Sequence, residues 1–324
     1  MEYMPDFTVL RPTTIDDAVG AYTDNPGARY LAGGTDILVN IRRGIVETSV
    51  MIDLSNIAEM QGITELDDGR LRIGASVTLA ELASNDYVRI CYTAIAEAAH
   101  EVAASSHREV ATLGGNLCLD TRCVFYNQSE WWRNANDYCL KYNGDTCHVA
   151  PSGKTCFAAF SGDVAPAVMV HEGQVEIAGP DGRRTLDLND MYEDDGMAHL
   201  RLEKGEILCA VILAAIDTGP SGYAKVRVRG SIDFPLVGVA ANLSGGDGTL
   251  AFLKIALTGT NARPLLLEGT EEMIDVEFND TLLEQLTELI SKQIQPMTST
   301  FTPPGYRRKV AANLTRALVR KLYD

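Results

Sequence analysis

Residues 112–163 constrain this chain more than any other stretch. They open with Thr112-Leu113-Gly114-Gly115-Asn116 and close with Ser161-Gly162-Asp163 ahead of Val164-Ala165-Pro166. Between these ends lie Cys118, Cys123, Cys139, Cys147 and Cys156, five of the seven cysteines. The last four are spaced C-x15-C-x7-C-x8-C in a loop rich in Trp, Tyr, Asn and Gly. Four thiolates on one loop can ligate an iron–sulfur cluster or zinc. A structural zinc site generally shows a C-x2-4-C pair, and these four contain none. A disulfide framework belongs to small secreted chains, and 324 residues exceed that class. Spacing alone therefore ranks an iron–sulfur cluster first, zinc second and disulfides last.

The length suffices for two or three domains with a substantial core. The longest apolar run, residues 207–216, is too short to span a bilayer. The opening Met-Glu-Tyr-Met-Pro-Asp has neither a basic nor an apolar segment, so a cytoplasmic protein with reduced thiols is expected. A net charge of −16 argues against nucleic acid and against anionic membranes, both of which demand a basic face.

In chain order, residues 1–55 read as a small α/β unit. A strand at 7–10 leads into a helix capped by Thr13-x-x-Asp16, and a buried strand at 30–32 runs into Gly33-Gly34-Thr35-Asp36. A helix from residue 37 to 43 and a strand at 51–54 complete it. Beyond lie a strand at 71–74, a capping box at Thr78-x-x-Glu81 and an alanine-rich helix over 94–104 that ends near His107. Residues 165–177 and 184–188 read as strands, and 206–213 as a fully buried one. Cys91 and Cys209 fit core positions. After a boundary near 218–222, strands at 224–228, 236–243 and 250–258 precede a helix capped by Thr281-x-x-Glu284 and a final amphipathic helix over 306–322. Strands followed by helices make this an α+β domain.

A strand followed by Gly-Gly-Thr and a helix start is a physical recipe for holding phosphate. Glycines let backbone N–H groups converge, and the helix end adds positive potential. Thr35 can donate its hydroxyl, whereas Asp36 reads as a helix cap. One such turn is equally explained as a tight connection without a ligand. Two of them, at 33–34 and 114–115, suit the diphosphate of a dinucleotide embraced from opposite sides.

With both turns in view the chain resembles the FAD-binding subunits of the molybdenum hydroxylases, the family of xanthine dehydrogenase and carbon monoxide dehydrogenase. The likeness covers nearly the whole chain. It rests on Leu31-Ala32-Gly33-Gly34-Thr35-Asp36-Ile37, on Val110-Ala111-Thr112-Leu113-Gly114-Gly115-Asn116-Leu117 and on Gly162-Asp163-Val164-Ala165-Pro166. Gly205-Glu206-Ile207-Leu208 and Lys225 ahead of Phe234-Pro235-Leu236-Val237-Gly238 add to it. The resemblance implies an α+β protein. A two-subdomain α/β FAD-binding domain (residues 1–217, divided near 55) would precede a C-terminal antiparallel sheet with helices (218–324). Leu31 to Ile37 and Gly114 to Asn116 would hold the diphosphate and ribose, with Thr112 supporting the second turn. Asp163 would bind cofactor hydroxyls, while Lys225 and Leu208 would lie near the flavin ring. A lysine there would favour an anionic reduced flavin by Coulomb attraction. No residue of this chain is expected to act as a catalytic acid or base.

The family passes from its Gly-Gly-Asn turn to its Asp-containing turn in a few residues, whereas here an insertion over about 118–158 intervenes. With Trp131-Trp132 and this cysteine spacing, the insertion looks like that of the β subunits of 4-hydroxybenzoyl-CoA reductases, which carry a 4Fe-4S cluster. The resemblance then implies Cys123, Cys139, Cys147 and Cys156 as ligands, with Cys118 turned toward the flavin. It also implies partner subunits carrying molybdenum cofactor and 2Fe-2S clusters, with the organic substrate bound on a partner. Ferredoxin would be the electron donor, docking on Arg122, Arg133, Lys141 and Lys154 around the cluster. The flavin subunit of bacterial aldehyde oxidoreductases is a cousin with a similar loop. A non-catalytic interaction subunit with structural zinc is the rival from another class.

Overall fold

The computed structural model describes residues 4–215 and 219–324. The expected domain boundary at 217–218 lies outside the described residues.

Three sheets carry the chain. The first is parallel: β1 (Thr8–Leu10) and β2 (Arg29–Leu31) flank β3 (Val50–Asp53), with Thr8 opposite Val50 and Leu31 opposite Asp53. Parallel strands need crossovers. The helices Ile15–Asp24 and Ile37–Arg42 supply them. The second sheet is antiparallel, built from β4 (Ile63–Glu65), β5 (Leu71–Gly74), β6 (Gln174–Gly179), β7 (Gly182–Asp187) and β8 (Ile207–Leu213) in the order β4-β5-β8-β6-β7. Every residue of β8 is buried, which accounts for its unbroken apolar sequence. The third sheet is the antiparallel series β9 (Ser221–Val226), β10 (Val237–Gly246), β11 (Thr249–Thr258) and β12 (Leu265–Leu266), backed by the helices Asp280–Gln293 and Pro304–Tyr323. One core joins the first two sheets to the alanine-rich helix Thr93–Glu101, and a second fills the space between the third sheet and its helices.

Helix starts lie close to their expected positions. Thr78 accepts from the Glu81 amide at 3.1 Å as expected. Thr14, not Thr13, caps the first helix, and Asn279, not Thr281, caps the helix over 280–293. Two expectations change type. Residues 164–169 form a helix rather than the start of a strand. All six are buried, so no helical period is visible, and Pro166 sits in the first turn, where its missing N–H costs nothing. Residues 113–117 are likewise a short helix rather than a loop, with the Thr112 hydroxyl accepting from the Gly115 amide at 3.1 Å.

Candidate functional site

A cavity of about 590 Å³ opens between the parallel sheet, the second glycine turn and the C-terminal domain. Ala32, Gly33, Gly34, Thr35, Asp36 and Ile37 form one wall. Thr112, Gly114, Gly115 and Asn116 form another, and Asp163 and Leu208 lie on the lining as well. The two glycine turns are direct neighbours. A Cβ on Gly33 would meet the Val110 carbonyl oxygen at 1.9 Å, and one on Gly115 would lie 3.7 Å from the Ala32 methyl. Glycine at 33 is thus required by backbone packing of one turn on the flank of the other.

The turns differ in what their amides can do. In the second, Leu113 donates to Val77 O at 2.9 Å, Gly114 to Ala75 O at 2.8 Å and Gly115 to Thr112 Oγ1 at 3.1 Å, so these donors are taken. In the first, the amides of Gly33, Gly34, Thr35, Asp36 and Ile37 donate to no acceptor among the described residues. Five adjacent N–H groups without an acceptor, in a segment that lines a cavity, suit an anion. Asp36 does not cap the helix. Its carboxylate pairs with Arg122 and accepts from Asn40 Nδ2 at 2.9 Å, leaving the amides open.

Leu31 and Lys225 depart from their expected place on the lining. Leu31 ends β2 and packs its side chain against Gly34. Lys225 turns inward, with Nζ 2.9 Å from the Asp163 carboxylate and 3.0 Å from the Glu101 carbonyl. Its charge is therefore directed at Asp163. Tyr223 donates to the same carboxylate at 2.7 Å. Burial pushes the Asp163 carboxyl above the ordinary carboxylate range, while Lys225 and Tyr223 pull it back.

Residues that sequence reasoning missed also face the cavity. Arg229, Ile232, Asp233 and Phe234 reach it from the loop between β9 and β10. That loop is latched by the Ile232 amide to Ala103 O at 3.2 Å, and both residues have positive φ, +50° and +46°. His107, within the short helix Ser105–Arg108, lines the cavity too. Cys118 faces the same cavity, away from the other four thiols, and burial raises it to about 12.

The four remaining cysteines of the insertion converge. Cys123, Cys139, Cys147 and Cys156 all line one small pocket with Phe125, Tyr126, Lys141 and His148. Burial raises the Cys123 thiol above its ordinary value and Cys156 to about 12. Among the described residues no three His, Cys, Asp or Glu side chains close around a single-ion site. One zinc ion would draw its thiolates to within about 3.8 Å of each other.

The insertion is tied to every neighbouring part. Arg133 donates to Gly44 O at 2.7 Å, Val124 to Ser299 O at 2.9 Å, and Cys156 to Asp195 Oδ1 at 3.0 Å. These ties overturn the expected basic docking rim. Arg133 and Lys141 side chains are 2% and 5% exposed. Arg122 is turned into the cofactor cavity, and of the four cations only Lys154 is exposed.

Comparison with known proteins identifies the class. Residues 5–214 match the family described as the FAD binding domain in molybdopterin dehydrogenase. Residues 222–322 match the CO dehydrogenase flavoprotein C-terminal domain. The chain belongs to this family of FAD-binding oxidoreductase subunits. It is 32% identical over 281 residues to the aldehyde oxidoreductase FAD-binding subunit PaoB of Escherichia coli, covering 84% of this chain and 86% of that one. It is 26% identical over 312 residues to the putative xanthine dehydrogenase FAD-binding subunit XdhB of the same species, covering 95% and 93%. The fold matches a chain of the crystal structure of Cu,Mo-CO dehydrogenase in its cyanide-inactivated form with a TM-score of 0.80 and 23% identity, covering 99% of this chain and 98% of that chain.

Proposed function

We propose that this chain is the FAD and 4Fe-4S electron-transfer subunit of a molybdenum hydroxylase-family complex of the 4-hydroxybenzoyl-CoA reductase kind. The observation that carries the cluster is the convergence of Cys123, Cys139, Cys147 and Cys156 on one pocket. The free amides of 33–37 would hold the FAD diphosphate, and the Asp163–Lys225–Tyr223 group would fix the far side of the cofactor. When bound, FAD and cluster supply a junction between two-electron and one-electron transfer. The chain's own residues bind, orient and shield them.

In this reading partner subunits carry molybdenum and 2Fe-2S centres, the complex is cytoplasmic, and ferredoxin is the donor for removing the aromatic hydroxyl to give benzoyl-CoA. Among the described residues no helix is long and apolar enough to cross a membrane. The relation to the Escherichia coli aldehyde oxidoreductase subunit favours a second reading, in which the complex oxidises aldehydes.

Absorption spectra with iron and sulfide analysis of the reconstituted chain test the cofactors. Flavin bands, a broad iron–sulfur absorption and iron in the ratio of one 4Fe-4S cluster are expected. Cys139→Ser should lose the iron and still bind FAD at saturating cofactor, whereas Cys118→Ser should keep both. Full iron retention in Cys139→Ser counts against the assignment. Flavin without iron returns the loop to a structural role, and zinc with no flavin supports the interaction subunit. Turnover of 4-hydroxybenzoyl-CoA against an aromatic aldehyde by the assembled complex separates the two enzyme readings.

A further inference from the structure

Arg122 stands where the two sites meet. Its backbone pairs with Ala159, N–H to O at 2.7 Å in one direction and 2.8 Å in the other, closing the neck of the insertion. The next residue, Cys123, faces the cysteine pocket. The Arg122 side chain extends the opposite way into the cofactor cavity. There it pairs with Asp36 and lies over the Phe234 ring at 4.7 Å. Its Nε is buried and has no acceptor among the described residues.

Asp36 is the awkward member of an anion-binding turn. It belongs to the lining segment whose amides have no acceptor among the described residues, and an unneutralised carboxylate there would repel a diphosphate. The Arg122 guanidinium removes that repulsion, and its orphan Nε–H offers one more donor to an incoming acceptor. A residue whose backbone closes the neck of the insertion and whose side chain is held at the cavity wall transmits order from one to the other.

We propose that Arg122 is a positioning residue that couples the two sites, so that metal in the cysteine pocket tightens FAD binding. The inference rests on the reading that the pocket holds an iron–sulfur cluster. Coupling of this kind is reciprocal: FAD must tighten iron binding by the same factor by which iron tightens FAD.

The test titrates the full chain with FAD, before and after reconstitution with iron and sulfide, following flavin fluorescence. Wild type should bind FAD about tenfold more tightly with iron present. Arg122→Ala should bind it more weakly in both forms and with the same affinity in each, and Arg122→Lys should recover part of the affinity without the full iron dependence. A purely structural arginine is distinguished by a cycle with Asp36→Asn. With the carboxylate neutral, Arg122→Ala should cost FAD affinity less than half as many fold. Iron bound as a cluster with unchanged FAD affinity overturns the coupling alone, as does an iron dependence that survives in Arg122→Ala. No iron uptake by wild type overturns the cluster reading and this inference with it.

Discussion

Lys225 Nζ and the Asp163 carboxylate are 2.9 Å apart, and both side chains are almost wholly buried, 1% and 4% exposed. Lys225 is on β9 of the C-terminal sheet, whereas Asp163 lines the cavity and precedes the buried helix Val164–Met169. The pair therefore joins the two domains beside the cavity. Removing one partner of a buried pair strands the other charge. Lys225→Met should destabilise the chain by about 3 kcal/mol in urea unfolding and lower its flavin content. Adding Asp163→Asn should restore at least half of that stability. A double variant as unstable as Lys225→Met would mean that the stranded carboxylate is not the cause.

The two glycine turns should respond differently to alanine. At Gly33 the new methyl would overlap the Val110 carbonyl oxygen at 1.9 Å, and backbone cannot rotate away. Gly33→Ala should cost about 2 kcal/mol or more and release FAD. At Gly115 the nearest atoms are Thr112 Oγ1 at 3.1 Å and the Ala32 methyl at 3.7 Å, and alanine favours the helix. Gly115→Ala should stay within about 1 kcal/mol of wild type. Thermal midpoints and flavin stoichiometry decide, and equal losses at both positions would contradict the geometry.

What the sequence made legible was local. Gly33-Gly34 after a strand, the Thr78 cap and the apolar run of β8 each carry their physics within a few residues. The cysteine set was legible because all four side chains that line the small pocket belong to one loop. The helix over 164–169 was not, since burial on every face erases periodicity. Neither was the part played by Arg122 or Phe234, because their roles depend on segments far apart in the chain. The supposed basic rim failed for a related reason: composition counts charges and is blind to which way they turn, and Arg133 turns inward.

Acid should weaken this fold through His171. Its ring is buried against Tyr92 at 5.2 Å, and Nε2 meets Ser221 Oγ at 3.1 Å. Burial holds its pKa down at about 4, below the ordinary 6.5. The unfolded chain therefore binds the proton more tightly, and the stability from the neutral ring is complete above about pH 6.5 and lost as pH falls toward 4. A drop of about 2 kcal/mol is expected between pH 7.5 and pH 5 from this group. His199, held at about 4 mainly by burial, adds in the same direction. His171→Asn should show a shallower pH dependence in urea unfolding. Equal slopes for variant and wild type would exclude His171 as a source.

Charge reversal in the insertion separates burial from docking. Lys141 Nζ lies 2.7 Å from the Asp120 carboxylate and 4.6 Å from the centre of the Tyr126 ring, and it faces the cysteine pocket. Lys141→Glu would set two carboxylates against each other with little water to screen them. Asp120 is itself about one-third exposed, which moderates the penalty, so a loss of roughly 1–3 kcal/mol confined to the insertion is expected. That loss should appear as faster proteolysis between residues 122 and 159 and as weaker iron retention after reconstitution. Lys154 is exposed and makes no ion pair among the described residues. Lys154→Glu should leave both measurements at the wild-type value, because a solvated side chain at that position holds nothing in place. If Lys154→Glu released iron as readily as Lys141→Glu, the insertion would depend on its total charge rather than on the buried pair. If Lys141→Glu left proteolysis and iron unchanged, the Lys141–Asp120 contact would not be a support of the cysteine pocket.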